Sequence, residues 1–118
     1  MRPTLLIALL IASSACGGSG TTDSATNPVT TVTPTVTTSV AMTGFAFTPA
    51  DIQVSPGAVV TWTNNDAVNH NVTFSSTVVG AVANFSSGAR TITMPTTTGT
   101  YAYHCTIHGA MTGTVKVQ

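Results

Sequence analysis

Short segments in which apolar and polar residues alternate recur every eight to twelve positions from about Ser39 to the C-terminus. In one of them, Val60 and Trp62 alternate with Thr61 and Thr63. Alternation of this kind is typical of half-buried strands, and strands at this spacing are typical of a β-sandwich. No stretch has a helical period of useful length, and few strong helix formers are present. The sequence therefore predicts an all-β fold, an antiparallel Greek-key β-sandwich of seven or eight strands.

The N-terminal residues 1–15 have the pattern of an export signal peptide. Arg2 precedes an apolar run at residues 5–12, and small residues follow the run. The run is shorter than the roughly 20 residues that span a bilayer as a helix. The segment at 13–17 resembles a bacterial lipobox, although Ser13 stands where that motif usually carries an aliphatic residue. In this interpretation Cys16 is lipidated and provides the only membrane contact. The alternative is ordinary cleavage near Ala15, which leaves a soluble periplasmic or secreted protein.

Residues 16–38 predict a flexible linker between the leader and a domain at residues 39–118. They are rich in Thr, Pro, Gly and Ser, and they carry a single charge, Asp23. Such a segment lacks a periodic apolar face and cannot bury enough surface to offset the loss of chain entropy. The predicted organisation is therefore a leader, a linker and one small globular domain.

Charged residues make up only 5% of the chain, and its formal net charge is zero. Without the leader, Arg90 and Lys116 stand against Asp23, Asp51 and Asp66. A chain with so little positive charge has no basic surface for nucleic acid and steers charged partners weakly. We therefore expect no nucleic-acid partner.

Three residues near the C-terminus carry the chemistry of a metal site. Cys105, His108 and Met111 lie within seven residues of one another. Soft sulfur ligands select copper, and two His, one Cys and a weak axial Met are the ligands of blue-copper sites. Tyr101 and Tyr103 alternate with the residues between them, so Cys105 ends a predicted strand, after which the chain can turn back.

A second histidine has to come from elsewhere in the chain. His70, in the segment at residues 68–74, is the candidate. His104 neighbours Cys105, but alternation along a strand directs its side chain to the opposite face. The predicted metal ligands are thus His70, Cys105, His108 and Met111.

The segments around these residues resemble a known family. Residues 101–117, together with 60–64 and 70–72, are similar to the small bacterial type 1 copper proteins, the cupredoxins, and most of all to the amicyanins. Amicyanins share the two-residue gap between the second His and the Met. The resemblance covers about residue 40 to the C-terminus, and it implies a cupredoxin fold with one type 1 copper ion. It also implies that Asn71 and Thr106 tie the two ligand segments together by hydrogen bonds, and that His108 is the ligand at the solvent edge. Gly109 and Ile107 replace prolines of amicyanin, so the reduction potential does not carry over.

The function expected from this site is one-electron transport between Cu(I) and Cu(II) in the bacterial cell envelope. Transient redox partners would dock on a largely uncharged rim around His108, and the protein would be a monomer. The rim comprises Ala67, Val68, Ile107, Gly109 and Ala110. The alternative is a periplasmic copper-handling protein, a buffer or donor. We expect no enzyme activity, because no acidic residue lies near the Cys–His motif and three histidines cannot build a trinuclear copper centre.

Overall fold

The computed structural model describes residues 31–118. The expected signal peptide, Cys16 and the first part of the expected linker lie outside the described residues. Within residues 31–118, no helix is long and apolar enough to cross a membrane.

The described chain is built from ten β-strands, and their bounds follow the alternating segments of the sequence. They are β1 (Thr35–Val36), β2 (Ser39–Thr43), β3 (Ala46–Thr48), β4 (Asp51–Val54), β5 (Val59–Asn64), β6 (His70–Phe74), β7 (Val82–Phe85), β8 (Gly88–Thr93), β9 (Gly99–Cys105) and β10 (His108–Val117).

The strands form two sheets. The larger sheet has the order β1-β4-β10-β9-β6-β7, and the smaller one has the order β3-β2-β5-β8. The chain passes repeatedly from one sheet to the other, so strands that are distant in sequence become neighbours. This arrangement confirms the predicted all-β sandwich.

Apolar side chains at alternate strand positions of both sheets make one core. In β5 the buried apolar residues are Val60 and Trp62, and in β10 they include Val115 and Val117. Trp62 and Tyr103 lie at its centre with their ring centroids 5.7 Å apart. Rings in such tilted and edge-to-face contacts add to the stabilisation that burial itself provides.

Two details of the predicted fold differ from the structure. The sheets are mixed, because β1 and β10 each run parallel to β4, and β2 runs parallel to β5. Alternation shows which side chains are buried but is the same for either strand direction. Residues 31–118 also form ten strands rather than seven or eight. The short strands β1 and β3, of two and three residues, account for the difference.

The first strand lies within the segment expected to be linker. Thr35 and Val36 pair in parallel with Ile52 and Gln53 of β4. Both side chains of β1 are exposed, so the strand attaches by backbone hydrogen bonds at the sheet edge. An apolar face is not needed for such pairing, and for that reason its composition did not predict it.

Candidate metal centre

Three neighbouring strands of the larger sheet bring the predicted ligands to one end of the sandwich. β9 ends at Cys105, while β10 begins at His108 and β6 begins at His70. Both β10 and β6 run antiparallel to β9 and flank it. The end of β9 therefore meets the beginnings of its two neighbours. A two-residue turn places His108 opposite Cys105.

The donor atoms of these three residues converge on one point. Nδ1 of His70 lies 3.1 Å from Nδ1 of His108, and Sγ of Cys105 lies 3.7 Å from the same His108 nitrogen. All three donor atoms lie within 4.8 Å of one another. A metal bonded at about 2.0–2.1 Å to nitrogen and about 2.3 Å to sulfur separates two nitrogens by roughly 3.3 Å and nitrogen from sulfur by roughly 3.6 Å. The three side chains thus fit one metal ion, and a thiolate with two imidazoles suits copper.

Burial separates the ligand candidates into inner and outer groups. His70 and Cys105 have no exposed surface, and Met111 is 1% exposed. His108 is only partly buried. Met111 lies in β10, where the pairing with β9 shifts register between His108 and Thr112; its ligation stays a prediction. Among these ligand candidates, His108 is therefore the one that is open to solvent.

The neighbouring histidine lies outside the cluster, as strand alternation predicts. His104 pairs with Thr73 of β6 and with Thr112 of β10. The group of converging donor atoms contains His70, Cys105 and His108.

Asp66 sets the orientation of the His70 ring. Its Oδ2 atom lies 2.9 Å from Nε2 of His70, which leaves Nδ1 of that ring to face the donor cluster. A carboxylate that accepts the second ring N–H is a common way to orient a metal-binding histidine. Hydrogen bonds from the backbone N–H groups of Phe45 and Gly44, and then from His70, lower the pKa of Asp66. The carboxylate is therefore ionised at neutral pH.

The side chain of Asn64, the last residue of β5, holds the segment that leads to His70. Nδ2 of Asn64 donates to the carbonyl oxygens of Val68 and Phe85, at 2.9 and 2.7 Å. Its Oδ1 accepts the backbone N–H of Asp66 at 2.9 Å. Neither Asn64 nor Asp66 was predicted from the sequence to be a site residue. The only signal in the sequence was a carboxylate four residues before a candidate ligand.

Asn71 connects the segments that carry His70 and Cys105. Its Nδ2 donates to Oγ1 of Thr106 at 2.7 Å and to Oδ1 of Asn84 at 2.8 Å. Its Oδ1 accepts the backbone N–H of Thr106 at 2.9 Å. The connection expected between Asn71 and Thr106 is therefore present, and Asn84 of β7 extends it across the sheet.

Replacing Asn71 with alanine is expected to lower the free energy of unfolding of the metal-free protein by about 2 kcal/mol. The reason is that the backbone N–H of Thr106 would lose its acceptor in a partly buried position. Chemical denaturation measures this change. Asn69 is exposed and is the matched control; we expect Asn69→Ala to change stability by less than about 0.5 kcal/mol. Equal losses in the two variants would contradict a structural role for the Asn71 network.

Phe45 was expected in the core, but it is 53% exposed and lies against both histidines. Its ring centroid is 4.9 Å from that of His108 and 5.7 Å from that of His70, and both pairs are edge-to-face. The residue belongs to the turn between β2 and β3, about 25 positions before the first ligand. Nothing local to Phe45 in the sequence indicates this contact.

Known copper proteins match this chain in both sequence and structure. A sequence profile of the copper-binding proteins of the plastocyanin/azurin family matches residues 34–118. Amicyanin of Paracoccus denitrificans is 40% identical over an alignment of 73 residues, which covers 58% of this chain and 55% of that protein. The chain thus covers little more than half the length of this relative.

Solved structures of amicyanin variants have the same fold. A mutant of amicyanin in its Cu(I) form superposes with a TM-score of 0.62 at 31% identity, covering 68% of this chain and 80% of that one. A second mutant, in its reduced Cu(I) form at pH 4, gives a TM-score of 0.63 at 32% identity, with coverages of 74% and 86%. Together with the His70–Cys105–His108 cluster, these matches confirm the predicted cupredoxin family and its copper cofactor. The chain belongs to the plastocyanin/azurin family of copper-binding proteins.

Proposed function

We propose that this protein is a one-electron carrier of the bacterial cell envelope, with His70, Cys105, His108 and Met111 as the ligands of one type 1 copper ion. The observation that carries the proposal is the convergence of a buried cysteine sulfur and two imidazole nitrogens within 4.8 Å. Copper bound there would supply the Cu(I)/Cu(II) couple. The proposed role is transport of electrons rather than turnover of a substrate.

The residues of the centre favour fast electron exchange because they are held rigidly. Cys105 is at the end of a paired strand, and the hydrogen bonds of Asn71 and Asp66 hold the loops on either side of it. Ligands that cannot rearrange present nearly the same geometry to both oxidation states. Little reorganisation then accompanies the gain or loss of an electron.

The surface around His108 suits brief encounters with other redox proteins. Val68 is 38% exposed and Ile107 is 46% exposed, and Ala67, Gly109 and Ala110 are exposed beside them. We propose that partners dock on this apolar surface and that the electron passes through the His108 ring. Small interfaces of this kind are typical of weak, transient redox complexes.

We expect the electron self-exchange rate of the copper-loaded protein to change less than about twofold between low and moderate ionic strength. The docking surface carries few charges, so salt has little repulsion or attraction to screen. NMR line broadening in mixtures of the reduced and oxidised protein measures the rate. A steep dependence on salt would contradict docking through an uncharged surface.

Electrochemistry of the full chain tests the proposed function against copper handling. A reversible wave with fast heterogeneous electron transfer would support the carrier. Slow electrochemistry combined with ready transfer of Cu(I) to an acceptor protein would instead support a buffer or donor. The burial of His70 and Cys105 favours the carrier, because ligands closed to solvent release a metal slowly.

The proposed location in the envelope rests on the expected signal peptide and on Cys16. We propose that export places the domain outside the cytoplasm and that lipidation of Cys16 anchors it. Mass spectrometry of the protein purified from membranes tests this. A diacylglycerol-modified N-terminal cysteine would support the anchor, whereas an unmodified N-terminus beyond residue 15 would support a soluble protein.

A further inference from the structure

We propose that Phe45 is a cover on the solvent edge of the copper centre, held there by Asp66, and that it slows the loss of copper. This inference rests on the proposed copper site. It concerns a residue that the ligand motif does not contain.

The first support is the position of the ring. The inner ligand candidates are closed to solvent, so a metal ion can enter or leave only beside His108. Phe45 packs edge-to-face on His108 at 4.9 Å and on His70 at 5.7 Å, with interplanar angles of 82° and 88°. One ring thus contacts both imidazoles and restricts the movement of either one away from the centre.

The second support is the backbone conformation of the turn. Gly44 and Phe45 are the two residues between β2 and β3, and their φ angles are +61° and +60°. Two successive left-handed residues are typical of a type I′ hairpin turn, in which Gly is favoured at the second position. A bulky side chain there is a genuine outlier. The hairpin itself would form more easily with Gly, so the demands of the turn do not account for Phe45.

The exposure of Phe45 also excludes packing in the hydrophobic core as the reason for this residue. Its side chain is 53% exposed, and it is not part of the buried core. A phenylalanine that served mainly to stabilise the core would bury most of its surface. What this ring does contact is the pair of histidines.

The third support is that one carboxylate holds both the turn and a ligand. Asp66 accepts the backbone N–H of Gly44 at 2.8 Å and that of Phe45 at 3.0 Å. The same carboxylate lies 2.9 Å from Nε2 of His70. Strained backbone persists where its surroundings over-determine it, and such strain is concentrated at functional sites. The cover and the first ligand are therefore fixed relative to each other.

The test measures how fast the full-length, Cu(I)-loaded protein loses copper to excess bathocuproine disulfonate. We expect Phe45→Ala to lose copper about three- to tenfold faster than the wild type, from the usual strength of an aromatic contact. Phe45→Tyr keeps the ring and is expected to stay within about twofold of the wild-type rate. The matched control is Val59→Ala, since Val59 is 52% exposed and lies at the opposite end of its strand from the centre.

A fourth variant distinguishes an effect of Phe45 on copper retention from an effect on the stability of the fold. Phe45→Gly relieves the left-handed backbone, because Gly adopts a positive φ without steric cost. We expect its metal-free form to melt at the same temperature as the wild type or higher, and yet its copper-loaded form to lose copper as fast as Phe45→Ala. In the metal-free wild type, NMR should also show ring-current shifts of the His108 ring protons that both variants lack.

Two results would contradict the proposed role of Phe45 but leave the proposed function intact. One is copper loss from Phe45→Ala and Phe45→Gly at the wild-type rate, and the other is copper loss from Phe45→Tyr as fast as from Phe45→Ala. A parallel fall of melting temperature and copper retention in Phe45→Gly would also overturn it, in favour of a purely structural role. Failure of the wild type to take up copper would overturn the proposed function, and the cover with it.

Discussion

Replacing Cys105 with alanine is expected to abolish the intense visible absorption of the Cu(II)-loaded protein. The thiolate is the soft anionic donor of the cluster, and a charge-transfer band of a copper–thiolate bond cannot exist without it. Copper should also stop stabilising the fold. The wild type is expected to gain about 2.7 kcal/mol when free copper is one hundred times Kd, by binding to the folded state alone. Absorption spectra and thermal melts with and without copper measure both effects.

The neighbouring residue provides the control for this experiment. His104 lies beside Cys105 but outside the cluster of donor atoms, so His104→Ala should keep both the colour and the copper-dependent rise in Tm. If the Cys105 variant stayed blue, or if the His104 variant lost its colour, the ligand assignment would be wrong.

Replacing Gly113 with alanine is expected to destabilise the metal-free protein by about 3 kcal/mol, at the upper end of the usual cost of overpacking. A Cβ atom at this position would collide with the carbonyl oxygen of Ala50 and with the phenol of Tyr103. Neither group can move easily to make room for the Cβ atom. The Tyr103 hydroxyl donates to the Ala50 oxygen at 2.9 Å, and the backbone N–H of Thr114 donates to the same oxygen at 3.0 Å.

Thermal unfolding measures this loss, which corresponds to a fall in Tm of roughly 12–24 °C for a domain of this size. Gly80→Ala is the matched control, because a Cβ there would meet nothing within 4 Å; we expect its Tm to shift by only a few degrees, about 4 °C or less. Similar melting temperatures for the two variants would contradict the close approach of β10 to Ala50.

The chemistry of the copper centre could largely be predicted from the sequence, because it depends on the types of the ligand residues and on the short spacing between them. Cys105 and His108 are separated by two residues, and a hairpin turn of that length places them opposite each other. His70 could be proposed because only three histidines exist and alternation directs His104 away. The similarity of the chain to amicyanin agrees with this family assignment.

The groups that orient the ligands could not be predicted from the sequence in the same way. Asp66 acts through backbone N–H groups 21 and 22 residues earlier in the chain. Phe45 reaches the histidines from a turn whose sequence resembles any short loop. Hydrogen bonds to backbone atoms and contacts across a turn leave no pattern of residue types.

The sequence alone determined that this protein is an all-β sandwich with a Cys–His–Met copper motif, since alternation reports which strand face is buried and soft donor atoms report the metal. Only the tertiary structure decided the strand directions, the ten-strand count and the packing of Phe45 and Asp66 around His70 and His108. Those features depend on which distant segments become neighbours. The packing of the whole core determines which segments become neighbours, and this cannot be inferred from the residues of any one segment.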